Sequence, residues 1–165
     1  MAVDMFIRIG PKDGVCKGES RDKVHAGLID VVAWSWGVSN SGTAHTGGGA
    51  GAGKANVQDV SFTKYVDASS AALLLACCTG QHFDDAQLIV RKAGTTPVEY
   101  IVLDMTEVLI TAVSTGGSGG EDRLTESVTL NFAKIKFSYT EQDPTGKAKT
   151  PKKEMTFDIA QNVKE

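Results

Sequence analysis

The sequence predicts a mainly β protein, a compact β-barrel of two packed antiparallel sheets with one short α-helix. Apolar and polar residues alternate along most of the chain, as they do in half-buried strands. Only one segment, following Asp67 and reaching about Thr79, has the character of a helix. The long run 124–139 changes its apolar phase partway, which implies a bulge or a strand that crosses between sheets. Long strands with a single helix are typical of barrels and sandwiches.

The predicted strands follow this alternation in chain order. Met5, Ile7 and Ile9 share one face of a first strand, which ends at Gly10-Pro11. In the second strand, 29–39, the even positions include Trp34 and Trp36 while the odd positions taper to small residues, so we expect the even face to pack on the core. Further strands are expected at 57–65, 86–92, 98–113, 124–139 and 155–160.

Two segments carry more apolar surface than one small barrel can cover. The helix, capped by Asp67 or Ser69 and ended by Gly80, is apolar nearly all round and needs cover on more than one side. The strand 98–113 has apolar residues on both faces. Because such surface must be covered by a neighbour, the pattern favours a self-associating structural protein.

Length and charge exclude several classes of protein. The 165 residues fit one domain, 1–165, and 17 basic against 20 acidic side chains give a formal charge of −3. This balance argues against a nucleic-acid binder, and the Lys147–Lys153 cluster lacks interleaved aromatic residues. The longest apolar run, Ala71–Cys78, is far shorter than the roughly 20 residues of a membrane helix. We therefore expect no membrane insertion, and residues 1–10 show no conventional signal peptide.

Two glycine-rich motifs resemble catalytic or nucleotide-binding loops without fitting them. Gly48–Lys54 reads GGAGAGK, but Ala55 offers no hydroxyl to a metal and a strand follows where a phosphate-binding loop needs a helix. Gly116–Gly120 reads GGSGG, but a strand again follows where a nucleophile elbow needs a helix. We therefore expect no catalytic residues and no enzyme, with a hydrolase using Ser118 as a minor alternative.

The cysteines and acidic pairs do not form a metal site. Cys16, Cys77 and Cys78 are odd in number and lack a disulfide or zinc spacing, so three free thiols are expected. His82 follows the neighbouring cysteines without a ligand pattern, and the acidic pairs at 84–85 and 121–122 do not form a calcium loop. No metal or cofactor is predicted.

Five segments resemble the haemolysin-coregulated protein (Hcp) family of bacterial type VI secretion systems. They are MAVDMFIRIG (1–10), KGES (17–20), AWSWG (33–37), NVQD with SFTKY (56–65) and STGGSGGEDRLTE (114–126). The likeness runs to about residue 140 and resumes at 159–163. Residues 11–16 and 141–153 depart from the family pattern.

The resemblance implies a subunit that closes into a six-membered ring, with rings stacked into a tube. In that family the tube lies in a contractile sheath beneath a spike protein, and effector proteins are carried and chaperoned in the ring lumen. The protein would be made in the cytoplasm and leave the cell without a cleavable signal peptide. The alternative is a monomeric barrel that binds a small ligand in a cavity lined by Tyr100 and the tryptophans.

For a ring-forming subunit, three sets of residues have predicted roles in the lumen, in the contact between subunits and in the contact between rings. Ser35, on the small-residue face of its strand, is predicted to line the lumen; otherwise it is an ordinary outward-facing polar residue. The subunit interface is predicted at Leu73, Leu74, Leu75 and Ala76 of the helix and at Tyr100, Val102, Val108 and Ile110 of the strand. Ring stacking is predicted for the loop residues Ser41, Gly42, His45, Gly47, Gly48, Gly49, Gly51, Gly53 and Lys54.

Overall fold

Ten strands and one helix form the regular secondary structure of the residues that the structure describes. The computed structural model describes residues 2–45, 51 and 53–165. In this part of the chain the elements are β1 (Val3–Ile9), β2 (Ile29–Ser35), β3 (Val38–Asn40), β4 (Ala55–Val57), β5 (Val60–Tyr65), α1 (Ser70–Thr79), β6 (His82–Lys92), β7 (Val98–Thr115), β8 (Thr125–Tyr139), β9 (Lys153–Asp158) and β10 (Val163–Lys164).

The barrel is one antiparallel sheet that closes on itself. Its strand order is β10-β9-β8-β5-β2-β1-β6-β7, and β7 also pairs with β8. The strands β8, β5, β2, β1, β6 and β7 therefore form a closed ring, and β9 and β10 extend the sheet beyond β8. This confirms the predicted mainly β barrel with one helix. The two packed sheets of the prediction are parts of a single continuous sheet. The strands β3 and β4 form a separate two-stranded hairpin.

The phase change predicted for β8 marks the point where the strand changes neighbours. Residues 125–130 of β8 pair with β5, whereas 134–139 pair with β9. Between them, the Ala133 carbonyl accepts hydrogen bonds from the Ile159 and Ala160 amides. Buried residues accordingly shift from Val128 and Leu130 to Ile135. The strand β8 therefore passes from the part of the sheet that contains β5 to the part that contains β9, as the sequence predicted.

The second predicted strand, 29–39, differs from the structure in its phase. Ile29 and Val31 are buried, whereas Val32 is exposed, so the prediction of an inward-facing even side was wrong at the start of the strand. A register shift between Val31 and Ala33 adds one residue, and from there Trp34 lies on the inward phase and packs against the core. The same segment then breaks into β2 and β3.

A loop strapped across β1 and β6 covers a second, smaller apolar cluster. Phe6, Leu28 and Ile89 form this cluster on the outside of the barrel. The Arg91 guanidinium donates hydrogen bonds to Asp22 (2.5 Å) in the loop and to Asp4 (3.0 Å) in β1. The same bond from Arg91 holds the pKa of the Asp22 carboxyl well below its ordinary value. The ion pair between Arg91 and Asp22 thus fixes the loop 10–28 to the outer surface of the barrel.

A buried ion pair joins the barrel to the helix. Lys64 and Glu126 face each other across β5 and β8, both side chains are fully buried, and they form a salt bridge. The Lys64 Nζ also lies 2.9 Å from Asp67 Oδ1 and 3.2 Å from Ser70 Oγ. Ser70, the first residue of α1, donates from its hydroxyl to Glu126 Oε1 at 2.5 Å. Four polar side chains therefore tie β5, β8 and the start of α1 together inside the protein.

The helix ends are those that the sequence predicts. Ser69 is the N-cap residue, and its amide and hydroxyl both donate to Asp67 Oδ1. Gly80 ends the helix in the left-handed conformation, with φ of 66°, which glycine adopts without steric cost. The helix therefore begins at the buried ionic cluster and ends next to β6.

Removing the lysine should destabilise the fold strongly. In Lys64→Met the carboxylates of Glu126 and Asp67 stay buried without their cation, and breaking such a pair costs about 3–5 kcal/mol. Urea unfolding followed by tryptophan fluorescence measures the loss. The matched control is Lys134→Met, which removes the exposed ion pair with Glu165 and should leave the midpoint nearly unchanged. Equal midpoints for the two variants would contradict the assigned role of the buried pair.

The thiol of Cys16 should resist modification in the folded protein. Burial raises its pKa to about 11, so at pH 8 roughly one molecule in a thousand carries the reactive thiolate. Cys78 is exposed and should react with DTNB first, whereas Cys16 should react on the same timescale only in denaturant. Cys16→Ser should remove only the slowest phase of the DTNB reaction, which belongs to this buried thiol. Reaction of all three thiols at one rate in native protein would contradict this prediction.

Candidate functional site

The helix presents only part of its predicted interface. Leu73 and Ala76 are fully buried in the barrel core, which corrects the prediction that they contact a neighbouring subunit. Leu74 and Leu75 face outward. The physical reason is the helical period, which turns Leu73 and Ala76 to the barrel and their neighbours to the surface.

Only one face of β7 is buried at any point along the strand, and the buried face changes at Glu107. Before Glu107 the buried residues are Leu103 and Met105, and after it they are Val108 and Ile110. Glu107 has a left-handed backbone, with φ of 55°, at the point where the inward phase switches from odd to even. Val108 and Ile110 thus belong to the core, which corrects their predicted role in the interface. Tyr100 and Val102 are half-buried.

Ser35 lies on a surface built from small side chains, which we call the small-residue face. Two rows cross the strands β2, β5, β8 and β7 on their outward side, and each row places paired residues next to one another. The first row is Ala33, Thr63, Ser127 and Ser114; the second is Ser35, Ser61, Thr129 and Ala112. None of these eight residues is buried, and none carries a charge.

Hydrogen bonds join side chains within this face and at its border. Ser61 Oγ and Thr129 Oγ1 lie 3.2 Å apart. Outside the two rows, the Asp59 carboxylate accepts from the Asn131 amide at 2.9 Å and from the Thr111 hydroxyl at 3.3 Å. A shallow depression of about 280 Å³ lies over Ser35 and is lined by Ala33, Trp34, Ser35, Ser61, Phe62, Thr63 and Ser127. Tyr100, which the monomeric-barrel alternative placed in a ligand cavity, does not line it.

Sequence reasoning found Ser35 but missed the residues that surround it. Their signal is present in the sequence, because Ser61 and Thr63 alternate with buried residues of β5, and Ser127 and Thr129 do so in β8. Each strand alone looks like an ordinary polar edge. Only the pairing register shows that the small residues of four strands lie side by side.

The predicted stacking loop connects β3 to β4. The Asn40 side-chain amide donates to the Gly53 carbonyl at 2.7 Å, and the Thr43 amide donates to the Gly51 carbonyl at 3.4 Å, so the hairpin continues beyond β3. Ser41, Gly42, His45, Gly51 and Lys54 are exposed and Gly53 is partly covered. Gly47, Gly48 and Gly49 lie outside the described residues.

The glycine motifs have the structural contexts that the sequence predicts. Lys54 is followed by β4, and the GGSGG segment is followed after a turn by β8, so neither loop opens a helix. The His25 ring nitrogen Nε2 lies 2.6 Å from Glu99 Oε1. Within residues 2–45, 51 and 53–165, no cluster of three or more metal-binding side chains occurs. No helix in the same part of the chain is long and apolar enough to cross a bilayer.

Comparison with known proteins gives one consistent result. A family profile described as "Type VI secretion system effector, Hcp" matches residues 6–139. Protein hcp1 of Pseudomonas aeruginosa is 55% identical over 164 residues, which are 99% of each chain.

Solved structures agree in fold. A structure of a type six secretion system protein has a TM-score of 0.91 at 28% identity, covering 99% of this chain and 100% of its own. The crystal structure of Hcp1 from Salmonella typhimurium has a TM-score of 0.76 at 30% identity and covers all of both chains. The resemblance drawn from five sequence segments is thereby confirmed, and the chain belongs to the Hcp family of type VI secretion system proteins.

Proposed function

We propose that this chain is the structural subunit of a type VI secretion tube, in which six copies close into a ring and rings stack. The observation that carries the proposal is the small-residue face, an uncharged wall four strands wide on a barrel of the Hcp family. The role is non-enzymatic. The tube would sit beneath a spike protein within a contractile sheath, and the chain would be exported with the tube.

The small-residue face suits the wall of a passage. Its side chains are short, so they leave the lumen open, and its hydroxyls can hydrogen-bond a cargo without holding it through charge. Ser35 lies within this face beside Ser61. Effector proteins carried in the lumen would contact these residues. The remaining outer surface has a different character, with ion pairs such as Arg8–Asp85 and Lys136–Glu154.

The β3–β4 hairpin suits the contact between rings. Its ladder is separate from the barrel sheet, the described loop residues Ser41, Gly42 and Lys54 are exposed, and the loop sequence is rich in glycine. Such an arm can reach a neighbouring ring without disturbing the barrel that carries it. The contact within a ring is assigned to the exposed part of the predicted interface, Leu74 and Leu75.

The native mass tests the ring directly. We expect light scattering on a sizing column, in reducing buffer, to give a particle of about six chains, because a heterologous contact that closes by rotation forms a ring. A stable monomer at all concentrations would contradict the proposed function.

A bulky residue in the lumen should impair cargo binding and leave the ring intact. Ser35→Gln adds a long side chain to the small-residue face, so retention of a co-expressed effector should fall at least several-fold. The matched control is Thr106→Gln, which puts the same side chain at an exposed position of β7 away from this face. Effector pull-down and native mass are measured for both. Unchanged retention in Ser35→Gln rings would contradict the lumen role.

Shortening the hairpin should separate ring formation from tube formation. Deleting residues 47–51 removes a glycine-rich segment of the loop and leaves the Asn40–Gly53 hydrogen bond in place. We expect rings of unchanged mass and a loss of tubes in negative-stain micrographs. Tubes of normal length from the deletion variant would assign stacking to another surface.

A further inference from the structure

We propose that the exposed side of helix α1 in one copy docks on an apolar flap at the outer end of β7, β8 and β9 in the next copy. The proposal rests on the proposed ring and names the two surfaces that meet in it. The helix side consists of Ala71, Leu74, Leu75 and Cys78, and the flap consists of Ile101, Phe137, Tyr139, Met155 and Phe157.

The helix side is an apolar stripe that the described residues of the chain leave exposed. Ala71, Leu74, Leu75 and Cys78 follow the spacing of one helix face, and all four are exposed. Leu75 is 62% exposed and Leu74 is 37% exposed. The opposite side of the helix is fixed by Leu73 in the core and by Ser70 in the buried ionic cluster. The stripe is therefore held on a rigid element.

The flap is the continuation of the barrel core onto an open edge. Rows of paired residues run from buried Leu103 through Phe137 to Met155, and from buried Met105 through Ile135 to Phe157. Met155 is 42% exposed, and Tyr139, next to Ile101, is 39% exposed. The strand β9 extends the sheet beyond the closed barrel. No strand or helix in the described chain therefore covers the face of β9 that carries Met155.

The charges beside the two surfaces are opposite. The last turn of α1 has no basic residue to offset the partial negative charge of the helix C-terminus, and the exposed Asp84 follows in β6. At the flap, Lys153 pairs with Tyr139 in the same row, and Lys152 precedes it. Neither lysine forms an ion pair within the described residues. A lysine-rimmed flap therefore complements an apolar helix whose C-terminal end is negative.

A second copy of this chain is the occupant that these features favour. The two surfaces differ, and both belong to the same chain, so each copy offers one surface to each neighbour. Contacts of this heterologous kind close into a ring when the rotation between copies permits it. An exposed apolar stripe and an exposed apolar flap are both covered in the closed ring.

A disulfide between neighbours tests the contact. The native Cys78 lies in the stripe, and Met155→Cys places a thiol in the flap; Cys77→Ser removes the adjacent thiol, and Cys16 stays buried. Diamide accepts the two electrons and two protons released as the S–S bond forms. We expect a ladder of linked chains up to the ring size on a non-reducing gel. The control Val24→Cys, at a 65% exposed position of the loop 10–28, should give no ladder.

A charge exchange and a truncation provide the second test. Asp84→Lys and Lys153→Asp should each raise the concentration at which half of the chains are assembled, and the double variant should restore it in part. Leu75→Ser should raise that concentration at least about tenfold in sedimentation velocity, whereas Val24→Ser should leave it unchanged.

The outcomes separate this inference from the proposed function. A ladder together with charge rescue supports the contact. Rings that persist in Leu75→Ser and give no ladder with Met155→Cys overturn the contact while leaving the ring in place. A wild-type chain that stays monomeric overturns the ring itself.

Discussion

The Lys64–Glu126 pair is the constraint on which the arrangement of the barrel and the helix depends. A lysine in a core of this size must keep its carboxylate partners, because an unpaired buried charge costs several kcal/mol. The two carboxylates come from β8 and from the turn after β5, and the hydroxyl of Ser70, the first residue of α1, also accepts a hydrogen bond from the lysine. Packing of Leu73 and Ala76 then fixes the rotation of the helix. A displacement of the helix would break an ionic network as well as an apolar contact.

Two changes of phase explain how one sheet has surfaces of different character. At Glu107 in β7 and near Ala133 in β8 the inward side switches, and the two sites lie opposite each other. On one side of this line the outward residues of β7 and β8 are uncharged, and those in the two rows of the small-residue face are small. On the other side they include Asp104, Lys134 and Lys136, which belong to a charged exterior. The same two strands thus contribute to the small-residue face, the charged exterior and the apolar flap.

The sequence predicts the elements well because they depend on local alternation. The strands at 86–92, 98–113 and 124–139, the helix and its stop at Gly80 follow from period and turn chemistry, whereas the predicted strand 57–65 divides into the end of β4 and β5. The sequence-based prediction fails where the register shifts. In a regular strand Val32 would share a face with Trp34, but the register shift between Val31 and Ala33 places them on different faces. Likewise, β7 reads as apolar on both faces because the phase switch at Glu107 is invisible in composition.

The candidate site was predictable only in part for the same reason. Ser35 could be chosen because its own strand tapers to small residues. Its neighbours Ser61 and Thr129 are 26 and 94 residues further along the chain, as their numbers show, and only strand pairing brings them together. The buried state of Ala76 depends on which side of the helix meets the barrel, and an apolar helix gives little indication of that side.

The ladder between β7 and β8 has a mechanical consequence. It runs from Ile101 opposite Tyr139 to Thr115 opposite Glu126, and so joins the flap end of the barrel to the end that carries the glycine-rich turn. Antiparallel hydrogen bonds lie perpendicular to their strands. A force along the barrel therefore loads this ladder in shear, where many hydrogen bonds resist together, instead of opening it one bond at a time.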